Sequence, residues 1–111
     1  MAAPITDEQL AVRDLVRRWS ASAGAPAAVR DVEHGDADAW RQVYAGVAEL
    51  GLFGVAVDED AGGAGGSVGD LCVMVEEAAR ALVPGPVVTT ALATLVISDS
   101  AVLQALSAGE T

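Results

Sequence analysis

The hydrophobic and polar positions of the chain follow a helical period in three separate segments. In the first segment, the apolar residues that recur at helical spacing are Val12, Leu15, Val16 and Trp19. Thr6 stands before this segment and Gln9 follows it by three positions, which is the pattern of a capping box. We therefore expect a helix that begins after Thr6, buries this face, and ends within Ser20–Pro26.

A second helix is expected to start near Asp36 or Asp38, because either side chain can cap it. Its buried face would consist of Trp40, Val43, Tyr44 and Val47. Gly51 suits the left-handed position at the end of this helix. We predict a loop over Val29–Asp38 and extended backbone over the apolar run Phe53–Val57.

The third segment has the most regular pattern and begins at Ser67, with Asp70 three positions later. Its apolar stripe would contain Val68, Leu71, Cys72, Val75, Ala79 and Leu82. Glu76 and Arg80 lie one turn apart and are expected to pair on the solvated face, to which Glu77 is also assigned. Cys72 is accordingly interpreted as a buried structural thiol, and the prolines of 84–86 would end the helix.

Residues 87–97 carry no charge and are apolar nearly all round. Their β-branched side chains also permit a strand, and periodicity does not decide between the two. We interpret the segment as a buried helix because its neighbours are helical and no partner strand is evident. With a last helix over Ser100–Leu106, the prediction is an all-α domain over residues 1–111, an up-down bundle of about five helices.

The charge of the chain limits the partners that it can have. Sixteen acids against six arginines give a net charge of −10, and there is no lysine. Nucleic acids and anionic membrane surfaces need a basic patch, so neither is expected as a partner. The uncharged stretch Leu82–Ser98 is too short and too broken by proline to span a bilayer. The first residues lack the basic and apolar regions of a signal peptide, which favours the cytoplasm.

A hydrophobic content of 52% is high for so short a chain. Two interpretations stay open at this point. Some of the apolar surface could be meant for another domain or subunit, or it could form a well-packed core of alanine, valine and leucine.

The glycine-rich stretch at 62–66 is the first candidate for chemistry. A phosphate-binding loop would need a lysine, and a dinucleotide fingerprint would need a preceding strand, so we interpret the stretch as a tight turn. The acids at 58–60 lack the spacing of a calcium loop. With one histidine, His34, and one cysteine, no nucleophilic triad is credible. No catalytic, cofactor-binding or metal-binding residue is assigned.

Four segments in order resemble the acyl-CoA dehydrogenase family. LGLFGVAVDEDAGGAG (50–65) after Trp40 resembles the family pattern W..l.elGl.gi.vPeeyGG.G, and SVGDLCVMVEEAAR (67–80) resembles s..d...v.EElar. TDEQ (6–9) is similar to the family's first helix, and LSAGE (106–110) to the segment before its middle β-domain. ALVPGP (81–86) looks like divergent bacterial members, some of which act on steroid or aromatic acyl-CoA. Asp58 and Ala61 depart from the usual proline and aromatic residue.

The resemblance implies the N-terminal helical domain of a flavin enzyme that desaturates acyl-CoA thioesters in fatty-acid or steroid side-chain catabolism. It also implies a homo- or hetero-oligomer, with FAD and the glutamate base in later domains, so that this chain would not be catalytic alone. The family's fourth helix lines the distal acyl pocket. By that analogy Leu92, Leu95 and Val96 are the candidate substrate-binding residues, with core packing as the alternative.

Two other functions stay open beside the dehydrogenase. One is a non-catalytic helical module that assembles with a homologous subunit. The other is the N-terminal domain of a related flavin monooxygenase or oxidase.

Overall fold

Helices make up nearly all of the chain in the computed structural model, which describes residues 5–110 and contains no β-strand within them. The six α-helices are α1 (Asp7–Ala23), α2 (Ala25–Glu33), α3 (Arg41–Glu49), α4 (Val68–Arg80), α5 (Val87–Val96) and α6 (Ser100–Ser107). Two single-turn 3-10 helices lie between α3 and α4, at Leu52–Gly54 and Glu59–Ala61. The all-α fold is therefore confirmed, with six helices in place of about five.

Helix α2 was not predicted, and the loop expected over Val29–Asp38 is wrong in its first half. Gly24, at φ +76°, ends α1, and a proline in the next turn begins α2. The new helix buries Ala25 and Ala28 against Val43 of α3. Two alanines give so weak a hydrophobic signal that the segment looks like a loop in the sequence.

The entry to α3 and the exit from it also differ from the expectation. Neither Asp36 nor Asp38 caps α3, which begins at Arg41; Asp38 instead pairs with the guanidinium of Arg41 at 2.8 Å. The run Phe53–Val57 is not extended, since it starts inside the 3-10 turn Leu52–Gly54. This turn packs against α3, and its apolar side chains, Leu52 and Phe53, lie in the core.

The main core lies where α3 and the 3-10 turn meet α1, α4 and α5. Its buried residues are Val16, Tyr44, Val47, Ala48, Leu52, Phe53, Leu71, Met74, Ala78, Val87 and Ala91. Tyr44 packs against Phe53 with ring centroids 5.2 Å apart. The Tyr44 hydroxyl is within 2.9 Å of the Thr90 hydroxyl, so the one polar group of this pair is satisfied inside the core.

The stripe predicted for α4 is rotated from the face that the helix buries. The buried residues of α4 are Leu71, Met74, Glu77 and Ala78. Cys72, Ala79 and Leu82, all predicted to be buried, are exposed, as is Leu15 of α1. Glu77, which polarity assigned to solvent, is only 5% exposed. The buried face of α4 therefore includes Glu77 and is rotated away from Cys72 and Ala79.

The predicted capping boxes at the starts of α1 and α4 are both present, and a hydrogen bond joins them. The Gln9 side chain accepts from the Thr6 N–H, and its amide donates to Asp70 Oδ1 at 3.1 Å. The other carboxylate oxygen of Asp70 accepts from the Ser67 N–H at 2.9 Å. The two helices therefore begin side by side, and satisfy several of their free N–H groups together.

Asp70 is expected to make the stability of the fold depend on pH. Hydrogen bonds from the Ser67 N–H and then from Gln9 lower the pKa of Asp70 from its ordinary value of 3.8. Because this pKa is lower in the folded than in the unfolded chain, the Asp70 carboxylate stabilises the fold. This stabilisation is complete above the pKa of the unfolded chain and is lost as the pH falls through the pKa of the folded chain. Urea unfolding between about pH 5 and about pH 1 should thus show a smaller loss of stability for Asp70→Asn than for the unchanged chain.

Asp60→Asn is the control for this comparison, because it removes the same charge from an exposed side chain outside either capping box. If Asp70→Asn lost as much stability in acid as the unchanged chain, the hydrogen bonds to Asp70 would not be the source of the pH dependence.

Candidate functional site

A groove between α4 and α5 is the candidate site, and it has a volume of about 300 Å³. Its lining residues are Val68, Leu71, Cys72, Val75, Glu76, Val88, Ala91, Leu92 and Leu95. We call it the α4–α5 groove. Glu76 is the one charged residue in this lining, so the groove is suited to a ligand made mostly of carbon and hydrogen.

The structure brings two of the three predicted substrate-binding residues into this groove. Leu92 and Leu95 line it, and their side chains are 59% and 39% exposed. Val96 is 83% exposed and lies outside the lining. The alternative of core packing does not fit Leu92 or Val96, because both present most of their surface to solvent.

Helix α5 is present as predicted, but it is buried on one side only. The buried residues are Val87, Thr90, Ala91 and Thr94, while Val88, Leu92, Leu95 and Val96 are exposed. The two threonines tolerate burial because their hydroxyls are satisfied: Thr90 by Tyr44, and Thr94 by the Ala91 carbonyl at 2.7 Å. The larger aliphatic side chains are left on the open side of the helix.

The α4 wall of the groove was missed by the sequence interpretation. Cys72 and Val75 were assigned to the core, yet both line the groove, and Cys72 is exposed. The prediction of a buried structural thiol is therefore wrong. The rotation of α4 described above turns Cys72 away from the core, whereas Val75 is half-buried and packs against the core while it lines the groove.

A chain of alternating charges runs from α1 to the edge of the groove. Arg17 donates to the Glu77 carboxylate at 2.9 Å, Arg80 lies 3.8 Å from that carboxylate, and Arg80 also pairs with Glu76 at 3.0 Å. The predicted Glu76–Arg80 pair is confirmed, whereas the prediction that Glu77 is solvated is wrong. Hydrogen bonding to Glu77, and then its charge, raises the pKa of Arg17 above its ordinary value.

The glycine turn at 62–66 has no spare N–H groups for a phosphate. The five consecutive N–H groups of 62–66 donate, in order, to the carbonyls of Glu59, Asp58, Gly54, Val57 and Val55. Three acidic side chains at 58–60 stand beside it. The glycine turn therefore does not fit the pyrophosphate of a dinucleotide such as FAD, because a phosphate site needs free N–H groups or cations.

Neither a metal cluster nor a membrane span is found in the part of the chain that the structure describes. Among residues 5–110, no three side chains of histidine, cysteine, aspartate or glutamate come together in a way that could hold a metal ion. Within the same range, no helix has the length and hydrophobicity needed to cross a bilayer.

Residues 6–105 match the family model described as acyl-CoA dehydrogenase, N-terminal domain. The chain is 64% identical over 118 residues to acyl-CoA dehydrogenase FadE34 of Mycobacterium tuberculosis, which covers 99% of this chain and 17% of the relative. It is 34% identical over 99 residues to acyl-CoA dehydrogenase IpdE2 of the same organism, covering 86% of this chain and 30% of that protein. It is 38% identical over 78 residues to benzylmalonyl-CoA dehydrogenase of Aromatoleum aromaticum, covering 68% of this chain and 20% of that protein.

The chain thus spans between 17% and 30% of the length of these relatives. No solved structure matches it.

Proposed function

Because the chain belongs to the acyl-CoA dehydrogenase family as an N-terminal domain, we propose that it is part of a flavin enzyme that desaturates an acyl-CoA thioester. The reaction removes a proton from the α-carbon and a hydride from the β-carbon, leaving a double bond between them. Fatty-acid or steroid side-chain catabolism is the proposed context. The family match over residues 6–105 is the observation that carries this proposal.

The proposed role of these residues is to form one wall of the acyl pocket. The α4–α5 groove supports this role because eight of its nine lining residues carry no charge. Covering apolar surface by an acyl group is favourable by about 25 cal/mol per Å². Leu92 and Leu95 are placed to contact the acyl group, and Val96 would contact it only if the rest of the enzyme extends the pocket beyond the groove.

FAD and the catalytic base are proposed to lie outside residues 1–111. The glycine turn does not fit the cofactor, since its N–H groups are used within the turn and no lysine stands beside it. When bound elsewhere in the enzyme, the flavin would supply the hydride acceptor. These residues would contribute only binding and the exclusion of water from the acyl group.

An intact enzyme with Leu92→Ala is expected to show a KM for its acyl-CoA substrate that is raised about tenfold or more, because a buried Leu side chain contributes about 1.5–3 kcal/mol in contact with an apolar partner and about 1.4 kcal/mol is a factor of ten. The fold should not change, since Leu92 is mostly exposed in this domain. Steady-state kinetics with the same acyl-CoA measures the effect.

Leu82→Ala is the matched control, because Leu82 is 58% exposed and lies outside the lining of the groove. Equal kcat/KM values for the two variants would contradict the proposal that the α4–α5 groove forms part of the acyl pocket.

Assembly with other subunits is a second candidate role, and the exposure of Val88 and Val96 favours it. Exposed aliphatic side chains on one helix are commonly covered by another domain or subunit. We propose a homo- or hetero-oligomer of acyl-CoA dehydrogenase subunits, in the cytoplasm, where a free thiol such as Cys72 is stable. A subunit that assembled without any flavin in the complex would favour the assembly role alone. Oxygen consumption by the intact enzyme would favour an oxidase or monooxygenase.

A further inference from the structure

Helix α4 keeps apolar side chains on its exposed side and a carboxylate on its buried side. Val68 is 53% exposed, and Cys72 and Ala79 are exposed with it. Glu77 lies on the buried side. Hydrophobicity alone would turn the apolar side towards the core, because the burial of apolar surface is favourable. Another interaction must therefore hold the rotation of α4 about its own axis.

The ion pair between Arg17 of α1 and Glu77 is strong enough for this task. The guanidinium contacts both carboxylate oxygens, with Nη2 at 2.9 Å from Oε1 and Nε at 3.4 Å from Oε2. Arg80 is farther from Glu77, at 3.8 Å, and lies 3.0 Å from Glu76. A buried carboxylate without a counter-charge is strongly unfavourable, so the burial of Glu77 depends mainly on Arg17.

The side of α4 that binds α1 lies opposite the side that lines the α4–α5 groove. Two side-chain contacts join α4 to α1, namely Gln9 to Asp70 at 3.1 Å and Arg17 to Glu77 at 2.9 Å. Val68, in the groove lining, and Glu77 are nine positions apart, which is two and a half turns at about 3.6 residues per turn. A rotation that released Glu77 from α1 would therefore also turn Val68 out of the groove.

We propose that Arg17 is a positioning residue for the α4–α5 groove. By binding Glu77, it holds α4 in the rotation that leaves Val68 and Cys72 in the groove wall. Without this ion pair, α4 turns towards the face that its hydrophobic pattern favours, so that Glu77 reaches solvent and Cys72 becomes covered. The importance of Arg17 for substrate binding rests on the proposed function, because it takes the groove to be part of the acyl pocket.

The rate at which Cys72 reacts with iodoacetamide, an uncharged reagent, reports the rotation of α4 in the 111-residue chain. Arg17→Gln is expected to slow the reaction about threefold or more, because a covered thiol is inert. A loss of stability alone would not slow it, since unfolding exposes the thiol. Adding Glu77→Leu to Arg17→Gln is expected to restore the rate, because a leucine stays buried without a counter-charge.

Arg18→Gln is the matched control, because it removes the same charge from the next residue of α1, which is exposed. It should leave the rate unchanged, which separates the rotation of α4 from an effect of charge on the thiol. An unchanged or faster rate in Arg17→Gln, an equal fall in Arg18→Gln, or a double variant as slow as Arg17→Gln overturns the inference.

The intact enzyme with Arg17→Gln connects the rotation of α4 to substrate binding. Its KM for the acyl-CoA should rise while kcat stays the same, because Arg17 acts on the shape of the groove and on no reacting atom. Slower alkylation of Cys72 together with an unchanged KM would overturn the acyl role of the groove and would leave the positioning of α4 by Arg17 in place.

Discussion

Gly63→Ala is expected to destabilise the chain by about 3 kcal/mol, a large part of the total for a domain of this size. A Cβ on Gly63 would overlap the backbone carbonyl of Val57, which cannot move as a flexible side chain could. The same carbonyl accepts the Gly65 N–H at 2.8 Å, so any shift also weakens the glycine turn. Urea unfolding measures the change, followed by the circular dichroism of the α-helices at about 222 nm.

Gly54→Ala is the control for this prediction. A Cβ at Gly54 would meet only Ser107, at 3.6 Å, which is an ordinary contact. Its effect should stay within about 0.5 kcal/mol. If the two variants had equal midpoints, the close approach between the glycine turn and Val57 would not be a requirement of the fold.

Phe53→Ala is expected to cost about 3–5 kcal/mol, the range for removal of a large aromatic side chain from a core. Phe53 has no exposed surface and packs on Tyr44, whose hydroxyl is bound to Thr90. The cavity would therefore lie between α3 and α5 and would loosen both helices. The free energy of unfolding from urea titration checks the value.

Leu92→Ala, on the open side of α5, should change the stability by less than about 0.5 kcal/mol. A loss at Leu92 comparable to that at Phe53 would mean that α5 is buried on both sides in solution, and that the α4–α5 groove is closed.

The sequence predicts those features of the fold that depend on neighbours along the chain. The capping boxes at Thr6 and Ser67 each join residues three positions apart, and both are present. The pair Glu76–Arg80 spans one helical turn and is also present. In each case the interacting groups are close in sequence, so the spacing alone is sufficient to identify them.

The features that the sequence does not predict depend on partners far along the chain. Glu77 is buried because Arg17, sixty positions away, supplies its counter-charge. Polarity alone assigns such a residue to solvent, and this one error also misplaces Cys72. Helix α2 was missed for a different reason, because its buried face consists of alanines that differ little from a loop in hydrophobicity.

The candidate site also has one part that the sequence predicts and one part that it does not. Leu92 and Leu95 were placed by the family resemblance, and both line the groove. The opposite wall on α4 depends on the rotation of that helix, which no local pattern gives. Of the two interpretations of the high hydrophobic content, the well-packed core is present, built around Tyr44 and Phe53 more than around alanine. Apolar surface also remains open along α5, and its use by another domain or subunit stays a prediction.

The exposure of Cys72 has a practical consequence. It is the single cysteine of the 111-residue chain, it is accessible, and it lies in the wall of the α4–α5 groove. A maleimide fluorophore would attach at this one position without any engineered mutation. Its emission would report whether a small molecule, or a neighbouring domain, has displaced water from around the dye.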